Sequence, residues 1–593
     1  MLPESWHPGI TAGLIVLMIG ALAAGRFGAD LVLMGVLAAL VLLGVIAPAD
    51  AVAGFGNPAV LTVGLLYVVS AGMRHTGATN LLSTRLLSGA RSVAGAQARI
   101  ALPVAAVSAF VNNTPIVAMF VPVLSGVARR SGLPVGKLFM PLSFASILGG
   151  TCTLIGTSTN VVVAGLLIDY DVLDEAGEAV RFGMFTLAWV GLPIALVGIG
   201  YMLLAGRALL PGDRGGGARS KDPREYTVSL RVGDSAAAAG QTVQQAGLRN
   251  LPGLFLSTID RGEKSLVAEP DLVLRSGDVL TFVGDLESVV DLQQVRGLEP
   301  LREERSSYRA DRRLIEAVVS NSSRFVGQTI RDSQLRTRYG AVVLGVHRLG
   351  HRLEGKIGDI VLRPGDTLLL EAGDEFNGRH LDSRDFLLVT ERGGPAPRHE
   401  RAWVASAILV LLVATITAGL LSPLAAAMVA AGGMILTRCC TGPQARTALD
   451  LQVLVTIAAA FGIGHAVETT QLAAQAAGVV TGLAESLGIY GLLGAVYVLT
   501  VLCSMTMTNN AAAVLMFPIA LVVAGQAGLP VLPFAVAIAV AASCEFTTPI
   551  GYQTNLMVMG PGGYRWLDYA KFGGPLTVLC GAICVGLAPL FYG

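Results

Sequence analysis

Residues 112–135 read NNTPIVAMFVPVLSGVARRSGLPV, and residues 508–531 read TNNAAAVLMFPIALVVAGQAGLPV. Aligned without a gap, the two stretches place Asn113 against Asn509, share a proline near the middle and both end in Gly-Leu-Pro-Val. Polar residues open each stretch, and an apolar run follows them. The chain therefore contains an internal repeat whose copies lie 396 residues apart.

A second match extends the repeat. Residues 155–160 (IGTSTN) correspond to residues 550–555 (IGYQTN). These motifs interrupt the apolar stretches 138–168 and 531–560, and such interruptions predict broken helices.

The motifs of the first match interrupt the apolar stretches 100–128 and 488–526. Each of these stretches is too long for a single span of about 20 residues and contains polar residues and proline midway. They predict re-entrant helical hairpins.

The composition shows where the membrane portions lie. The chain of 593 residues is 53% hydrophobic and only 14% charged, with a mean hydropathy of +0.64, whereas soluble domains carry about a quarter charged residues. Residues 207–401 hold 29 basic and 28 acidic side chains, which leaves few for the rest. Two membrane halves, 1–206 and 402–593, are therefore expected to flank a soluble insert.

Basic residues orient these pieces, because lysine and arginine concentrate on cytoplasmic loops. Arg99 and Lys137 flank the first hairpin, whereas residues 467–487 carry Glu468 and Glu485 but no basic residue. Counting spans from these positions places the N-terminus outside and the insert in the cytoplasm. The two halves then have opposite orientations in a plasma (inner) membrane.

These features predict an all-α polytopic membrane protein with inverted repeats, re-entrant hairpins and broken helices, into which tandem cytoplasmic α+β domains are inserted. Inverted repeats with helices broken at equivalent places are the layout of secondary transporters. Net charge is +1, and this near balance makes nucleic acid an unexpected partner. The seven cysteines lie outside the insert and follow no metal-binding spacing, so we expect neither a disulfide framework nor zinc.

The four polar motifs are rich in amides and hydroxyls and contain no lysine or arginine. Such groups both donate and accept hydrogen bonds, and broken helices add free N–H groups for an oxyanion and free carbonyls for Na⁺. The motifs indicate an anion whose charge is offset by co-bound cations. The alternative for any single residue is a hydrogen bond between helices. Glu545, an acid in an apolar run, is interpreted as a proton carrier or cation ligand, or else as a helix cap or a partner of Thr547.

The insert contains two similar modules, residues 224–299 and 308–391. Both contain Gly-Gln-Thr followed by a β-branched residue, and both contain an Arg-x-Gly-Asp run before an apolar stretch. Short alternating apolar runs predict strands at 253–259, 279–283, 341–347 and 367–370. The modules predict a small α+β fold in duplicate, joined to the membrane halves by linkers at 214–220 and 393–397. Neither module contains a dinucleotide-binding or P-loop motif.

The hairpin motifs, together with residues 549–555 (PIGYQTN) running into 560–564 (GPGGY), resemble the divalent anion:sodium symporter family, which includes sodium-coupled sulfate and dicarboxylate carriers. The insert modules resemble the TrkA C-terminal-type domains of one subgroup of that family. The family's hairpin-tip triplet is Ser-Asn-Thr, and residues 112–114 (NNT) and 508–510 (TNN) depart from it. The resemblance implies a homodimer in membrane lipid, elevator-like movement and no cofactor beyond Na⁺ as coupling ion.

The resemblance also implies the site residues. It assigns to the anion Asn112, Asn113, Thr114, Ser158, Thr159, Asn160, Thr508, Asn509, Asn510, Gln553, Thr554 and Asn555. It assigns to Na⁺ Asn113, Thr114, Gly156, Thr157, Asn160, Asn509, Asn510, Thr548, Gly551 and Asn555.

The first loop bears on the substrate. Family members that carry dicarboxylates resemble Gly-Thr-Pro-Pro-Asn there, whereas residues 156–160 read GTSTN. Two added hydroxyls suit a compact tetrahedral oxyanion, so sodium-coupled symport of sulfate is favoured, and symport of a C4-dicarboxylate is the alternative.

Other classes of protein share single features with this chain. An antiporter of the aspartate:alanine exchanger type also carries two TrkA-type modules, but the hairpin motifs disfavour it. A K⁺ channel would need a filter loop such as TVGYG, which the sequence lacks. An enzyme is least expected, because no nucleophile is paired with a base. The insert could also bind an unknown regulatory ligand.

Overall fold

The computed structural model divides into two compact units, a helical unit (Met1–Arg214 with Pro395–Gly593) and a sheet unit (Gly215–Gly394). The structure describes residues 3–24, 27–78, 92–131, 133–173, 177–212, 227–233, 238–246, 248, 254–261, 264–267, 271–284, 298–300, 312–320, 323–348, 351–353, 357–373, 385–391, 401–549 and 551–593. Both predicted linkers lie outside the described residues.

The described helices are numbered in chain order. Before the sheet unit come α1 (His7–Ala24), α2 (Ala29–Leu42), α3 (Pro48–Ala53), α4 (Pro58–His75), α5 (Val93–Ser108), α6 (Asn113–Ser131), α7 (Phe139–Gly150), α8 (Ser158–Asp169) and α9 (Ala188–Leu209). The sheet unit contains α10 (Leu335–Tyr339). After it come α11 (Ala402–Thr417), α12 (Pro423–Leu436), α13 (Gly442–Ala448), α14 (Leu451–Thr469), α15 (Leu472–Ala484), α16 (Gly488–Thr506), α17 (Asn509–Ala527), α18 (Val531–Ser543), α19 (Gln553–Gly562) and α20 (Trp566–Tyr592).

Six helical stretches of the described chain are long and apolar enough to cross a membrane, which makes this a multi-pass membrane protein. They are Pro48–His75, Ala188–Leu209, Leu451–Thr469, Leu472–Thr506, Asn509–Ala527 and Trp566–Tyr592. One of them includes α15, which lies within residues 467–487, the stretch that carries no basic residue. Its alanine-rich sequence forms a helix that ends at Ala484, and a 3-10 turn at Glu485–Leu487 connects it to α16, whose first residue, Gly488, has a positive φ of 63°.

Each predicted hairpin is a pair of helices that meet at a polar tip. In the first, α5 and α6 are separated by residues 109–112, and in the second α16 and α17 are separated by Met507 and Thr508. The predicted start of the first hairpin, residue 100, was too late, because α5 begins at Val93. Ser92 caps this helix by accepting a hydrogen bond from the Gly95 N–H. Polar residues in its first turns lower the local hydropathy, so the apolar stretch in the sequence begins later than the helix does.

The two broken helices are interrupted at the predicted motifs. Helix α7 ends at Gly150 and α8 starts at Ser158, while α18 ends at Ser543 and α19 starts at Gln553. Every residue of α7 is buried, which is typical of a helix surrounded by protein on all sides. The apolar first halves of both broken helices thus form the centre of the helical unit.

In its described residues, the sheet unit contains two five-stranded antiparallel sheets. The first has the order β3-β2-β4-β1-β5, and its strands are β1 (Thr227–Val232), β2 (Leu254–Arg261), β3 (Lys264–Val267), β4 (Val279–Gly284) and β5 (Leu298–Pro300). The second has the order β10-β6-β9-β7-β8, and its strands are β6 (Arg312–Val319), β7 (Ala341–Arg348), β8 (His351–Arg352), β9 (Thr367–Gly373) and β10 (Phe386–Glu391). Replacing each strand of the first sheet by its counterpart five numbers later reproduces the second order, so the topologies are identical.

The sheets also share an ion pair. Asp278 and Asp366, the last residues of the two Arg-x-Gly-Asp runs, are buried. Arg261 donates to both oxygens of Asp278 over 2.7–2.8 Å, and Arg348 donates to both oxygens of Asp366 over 2.7 Å. The predicted strands are present as β2, β4, β7 and β9, whereas the other six were not predicted because they are short or carry charged residues.

Candidate functional site

The hairpin tips meet the broken helices across the repeat. The Thr114 hydroxyl of the first hairpin lies 3.2 Å from the side-chain oxygen of Gln553 in the second broken helix. Reciprocally, Ser158 and Thr159 of the first broken helix donate to the Asn510 side-chain oxygen of the second hairpin, over 3.2 and 3.1 Å. Each half of the repeat therefore completes the site of the other.

Tyr552 links these two contacts. Its hydroxyl accepts a hydrogen bond from the Asn113 amide at 2.5 Å and lies 3.1 Å from the Thr157 hydroxyl. Tyr552 was not among the predicted site residues, although its position in the repeat corresponds to Thr157. A large polar side chain at a position where the other copy has a small one was the available signal.

Serines in the helices before the tips support the tip asparagines. The Ser108 hydroxyl donates to the Asn113 side-chain oxygen at 2.6 Å, and Ser504 lies 3.1 Å from the side-chain oxygen of Asn509. The two serines are equivalent in the repeat, and neither was predicted from the sequence. Asn113 is 0% exposed, and its side-chain oxygen and nitrogen each bond to a protein partner.

Each broken helix has a loop between its two halves, and an asparagine closes each of these loops. The Asn160 amide donates to the Thr153 carbonyl at 2.8 Å, and the equivalent Asn555 amide donates to the Thr548 carbonyl at 3.3 Å. Ser143 in addition lies 2.7 Å from the Asn555 side-chain oxygen. Both asparagines are buried, and their role in the observed geometry is to hold each loop closed.

Glu545 makes the second loop unlike the first. Its fully buried carboxylate accepts the N–H groups of Thr547 and Thr548, both at 2.8 Å, and lies 3.2 Å from the Thr548 hydroxyl. A Cβ on Gly551 would lie 1.9 Å from the same carboxylate, so only glycine fits there. The interpretation of Glu545 as a partner of Thr547 is therefore observed, and the position equivalent to Glu545 in the first copy is Gly150.

The predicted residues divide by exposure. The side chains that are partly accessible at the tips and loops are Asn112, Thr114, Ser158, Thr508, Asn509, Thr548 and Gln553. Those that are buried are Asn113, Gly156, Thr157, Thr159, Asn160, Asn510, Gly551, Thr554 and Asn555. Thr508 also caps α17 by accepting from the Ala511 N–H at 3.4 Å. The accessible set is the one open to an anion.

The N-terminal ends of four helices meet in these contacts. Thr114, Ser158, Asn510 and Gln553 are each the first or second residue of α6, α8, α17 or α19. A helix N-terminus carries free N–H groups and a partial positive charge, which stabilise a bound anion. The arrangement can therefore bind an oxyanion without a lysine or arginine, while the hydroxyl and amide oxygens can bind a small cation.

Two interleaved hairpins and broken helices in a multi-pass helical unit define a membrane transporter. The chain belongs to the citrate transporter family, CitMHS, whose model matches residues 14–541 and 490–593. The match confirms a family of anion transporters. The divalent anion:sodium symporter family that the motifs resemble, and its subgroup with TrkA C-terminal-type domains, stay predictions. Members of the matching family are transporters rather than enzymes.

Full-length relatives support the family assignment. The chain is 37% identical to a putative sulfur deprivation response regulator of Chlamydomonas reinhardtii, over 96% of this chain and 99% of the relative. It is 30% identical to probable sodium/sulfate cotransporter 3 of the same alga, over 90% and 82% of the two chains. It is 32% identical to the uncharacterized transporter YfbS of Escherichia coli, over 98% of each chain.

Proposed function

We propose that this protein is a secondary transporter that carries sulfate into the cell together with Na⁺. The observation that carries the proposal is the meeting of four helix N-termini at amide and hydroxyl side chains, in motifs without lysine or arginine. Such a site favours a compact oxyanion, and relatives named sodium/sulfate cotransporters support both the anion and the coupling ion.

The proposed anion site lies among the partly accessible tip residues, between the two repeats. The proposed Na⁺ sites use oxygens of each tip and of the loop beside it, including Asn113 and Gly156 in one copy and Asn509 and Gly551 in the other. Positive charge on the bound Na⁺ offsets the charge of the anion, so each ligand strengthens the binding of the other. This mutual dependence is the physical basis of coupled symport.

We further propose that the two halves are inverted in the membrane and that the hairpins and broken helices move together as an elevator within a homodimer. The cross-repeat hydrogen bonds support this movement, because they connect both hairpins and both broken helices into one body. In this proposal the sheet unit, with its two TrkA C-terminal-type modules, is cytoplasmic and regulates transport from the inner face of the plasma membrane.

The test is uptake of labelled sulfate into proteoliposomes that contain the purified full chain. An inward Na⁺ gradient is expected to drive uptake, an equal K⁺ gradient is not, and unlabelled sulfate is expected to compete where succinate does not. If the vesicles take up succinate but show no Na⁺-driven uptake of sulfate, the proposed substrate is wrong and the family mechanism is right.

A carboxylate substrate is the second candidate, because the matching family is described as citrate transporters. In the same vesicles it predicts uptake of citrate or a C4-dicarboxylate and no competition by sulfate. An exchanger would instead show uptake only into vesicles preloaded with substrate, with no dependence on Na⁺.

A further inference from the structure

Ser70 lies outside the four polar motifs but lines the same cavity as two of their residues. With Asn112 and Ser158 it lines a cavity whose other six lining residues are all apolar. The cavity has room for one water-sized group. Tyr67, on the same helix α4, forms a hydrogen bond with the Asn112 side chain, so this face of α4 lies against the first hairpin tip.

The Ser70 hydroxyl has an unused hydrogen bond. Ser70 is 4% exposed, and its Oγ has no hydrogen-bond partner in the described part of the chain. Other hydroxyls of the same region bond to the carbonyl one turn earlier, as Thr62 does to Pro58 at 2.7 Å and Thr76 does to Gly72 at 2.8 Å. Because buried hydroxyls are almost always paired, the unpaired one at the cavity indicates a missing partner.

The charge around the cavity favours an acceptor as this partner. Asn112 directly precedes α6, and Ser158 is the first residue of α8, so the positive ends of two helices adjoin the cavity. An anionic oxygen would be stabilised at this place. We propose that Ser70 donates a hydrogen bond to one oxygen of the transported oxyanion, which makes α4 part of the substrate site.

This inference rests on the proposed function, and both are tested by uptake kinetics in proteoliposomes. The variants are Ser70→Ala and Ser70→Cys, which retains the size but has a weak donor. The matched control is Thr456→Ala, because Thr456 in α14 also has a buried hydroxyl without a partner in the described residues but does not line the cavity. Loss of a hydrogen bond to a charged group predicts a KM for sulfate raised about tenfold or more in both Ser70 variants.

Half-maximal activation by Na⁺, measured at saturating sulfate, is expected to stay within about twofold of the wild type, as are all constants of the control. An unchanged KM in the Ser70 variants would overturn the inference and leave the cavity to a water molecule. A shift in Na⁺ activation alone would overturn it in favour of a cation. If the wild type carries succinate or citrate instead of sulfate, the proposed substrate fails, and the same comparison with the carried anion still decides the role of Ser70. If it carries none of them, both proposals fail.

Discussion

The Ser158 hydroxyl lies 3.2 Å from the side-chain oxygen of Asn510, although 352 residues separate them in the chain. The pair that corresponds to it in the repeat, Thr114 and Gln553, is also 3.2 Å apart. Each hairpin is thus bonded to the broken helix of the opposite half. The candidate site exists only when both halves have assembled. A substitution in one half is therefore expected to disturb the binding side chains that the other half supplies.

Replacing Asn510 by alanine is expected to impair transport more than replacing Thr114. Asn510→Ala removes the acceptor of two hydroxyls, Ser158 and Thr159, whereas Thr114→Ala removes one hydrogen bond. At about 1 kcal/mol for each bond, kcat/KM for sulfate should fall about 30-fold in the first variant and about fivefold in the second. Initial uptake rates over a range of sulfate concentrations measure both. Equal effects, or no effect at Asn510, would contradict the observed pairing.

Replacing Gly551 by alanine is expected to abolish folding or transport. The added Cβ would lie 1.9 Å from the Glu545 carboxylate, which is buried and held by two N–H groups and cannot move away without losing them. The matched control is Gly478→Ala in α15, where a Cβ would meet nothing within 4 Å and where alanine is the better helix former by about 1 kcal/mol.

Two separate measurements distinguish the two glycine variants: the melting temperature of the purified full chain, and sulfate uptake by the folded protein in vesicles. The control is expected to melt at or above the wild-type temperature with unchanged uptake. If Gly551→Ala melted and transported like the control, the contact between Gly551 and the Glu545 carboxylate would have to be less tight than observed.

Replacing Glu545 by glutamine is expected to lower the stability of the helical unit. A carboxylate offers two acceptor oxygens to the N–H groups and hydroxyl around it, whereas an amide offers one and adds a donor. Hydrogen bonds to charged groups contribute about 1.5–3 kcal/mol each, so the free energy of unfolding should fall by about that amount. Glu485→Gln, at an exposed position, should change it by less than about 0.5 kcal/mol. Thermal unfolding of both variants makes the comparison, and equal melting temperatures would assign Glu545 no structural role.

The positions of the helix breaks could be predicted from sequence because each break contains or directly adjoins asparagine, glycine or proline within an apolar stretch, and because each occurs twice. The observed breaks before Asn113, Ser158, Asn509 and Gln553 lie at the predicted motifs. Clustered polar residues are conspicuous in an apolar span, since lipid offers no water to their side chains or to the backbone groups that a break frees.

The pairing of the tips could not be predicted in the same way. Hydrogen bonds such as the one between Asn113 and Tyr552 join residues 439 positions apart, and no local pattern marks such partners. Ser70 and Ser143 were overlooked because single serines in membrane helices are common and usually serve only as hydrogen bonds within or between helices. The roles of these residues depend on which helices lie side by side, which is a property of the assembled fold.

The sheet unit offers a comparison of buried and exposed ion pairs. Asp366 is buried and bonded through both oxygens to Arg348, whereas Asp359 and Arg331 are 54% and 71% exposed at their side chains. Asp366→Ala leaves the partly exposed Arg348 side chain without its partner, so the cost should lie below the about 3–5 kcal/mol of a fully buried pair. Asp359→Ala should cost less than about 1 kcal/mol. Calorimetric unfolding of the full chain measures both, and similar costs would contradict the assigned burial.

The sheet unit is expected to lose stability in acid through Asp385. Burial alone would raise the pKa of this carboxyl, but hydrogen bonds from Arg324 and Tyr339 hold its pKa below the ordinary value. A carboxyl whose pKa is lower in the folded than in the unfolded state contributes stability above its unfolded pKa of about 3.9, and this contribution is lost as the pH falls through the folded pKa. The melting temperature of the sheet unit in the full chain should therefore fall between about pH 5 and about pH 3.

Asparagine variants isolate the contribution of Asp385 from that of the other carboxylates. Asp385→Asn carries no charge at either pH. Calorimetry should therefore show that this variant melts at a lower temperature than the wild type at the higher pH. Its melting temperature should then decrease less than that of the wild type when the pH is lowered. Asp271→Asn, at an exposed position, should retain the wild-type difference between the two pH values. The geometry explains the expected contrast, because Arg324 and Tyr339 bind the ionised form of Asp385 and lose an acceptor when it is protonated. An undiminished decrease in Asp385→Asn would place the acid sensitivity elsewhere in the chain.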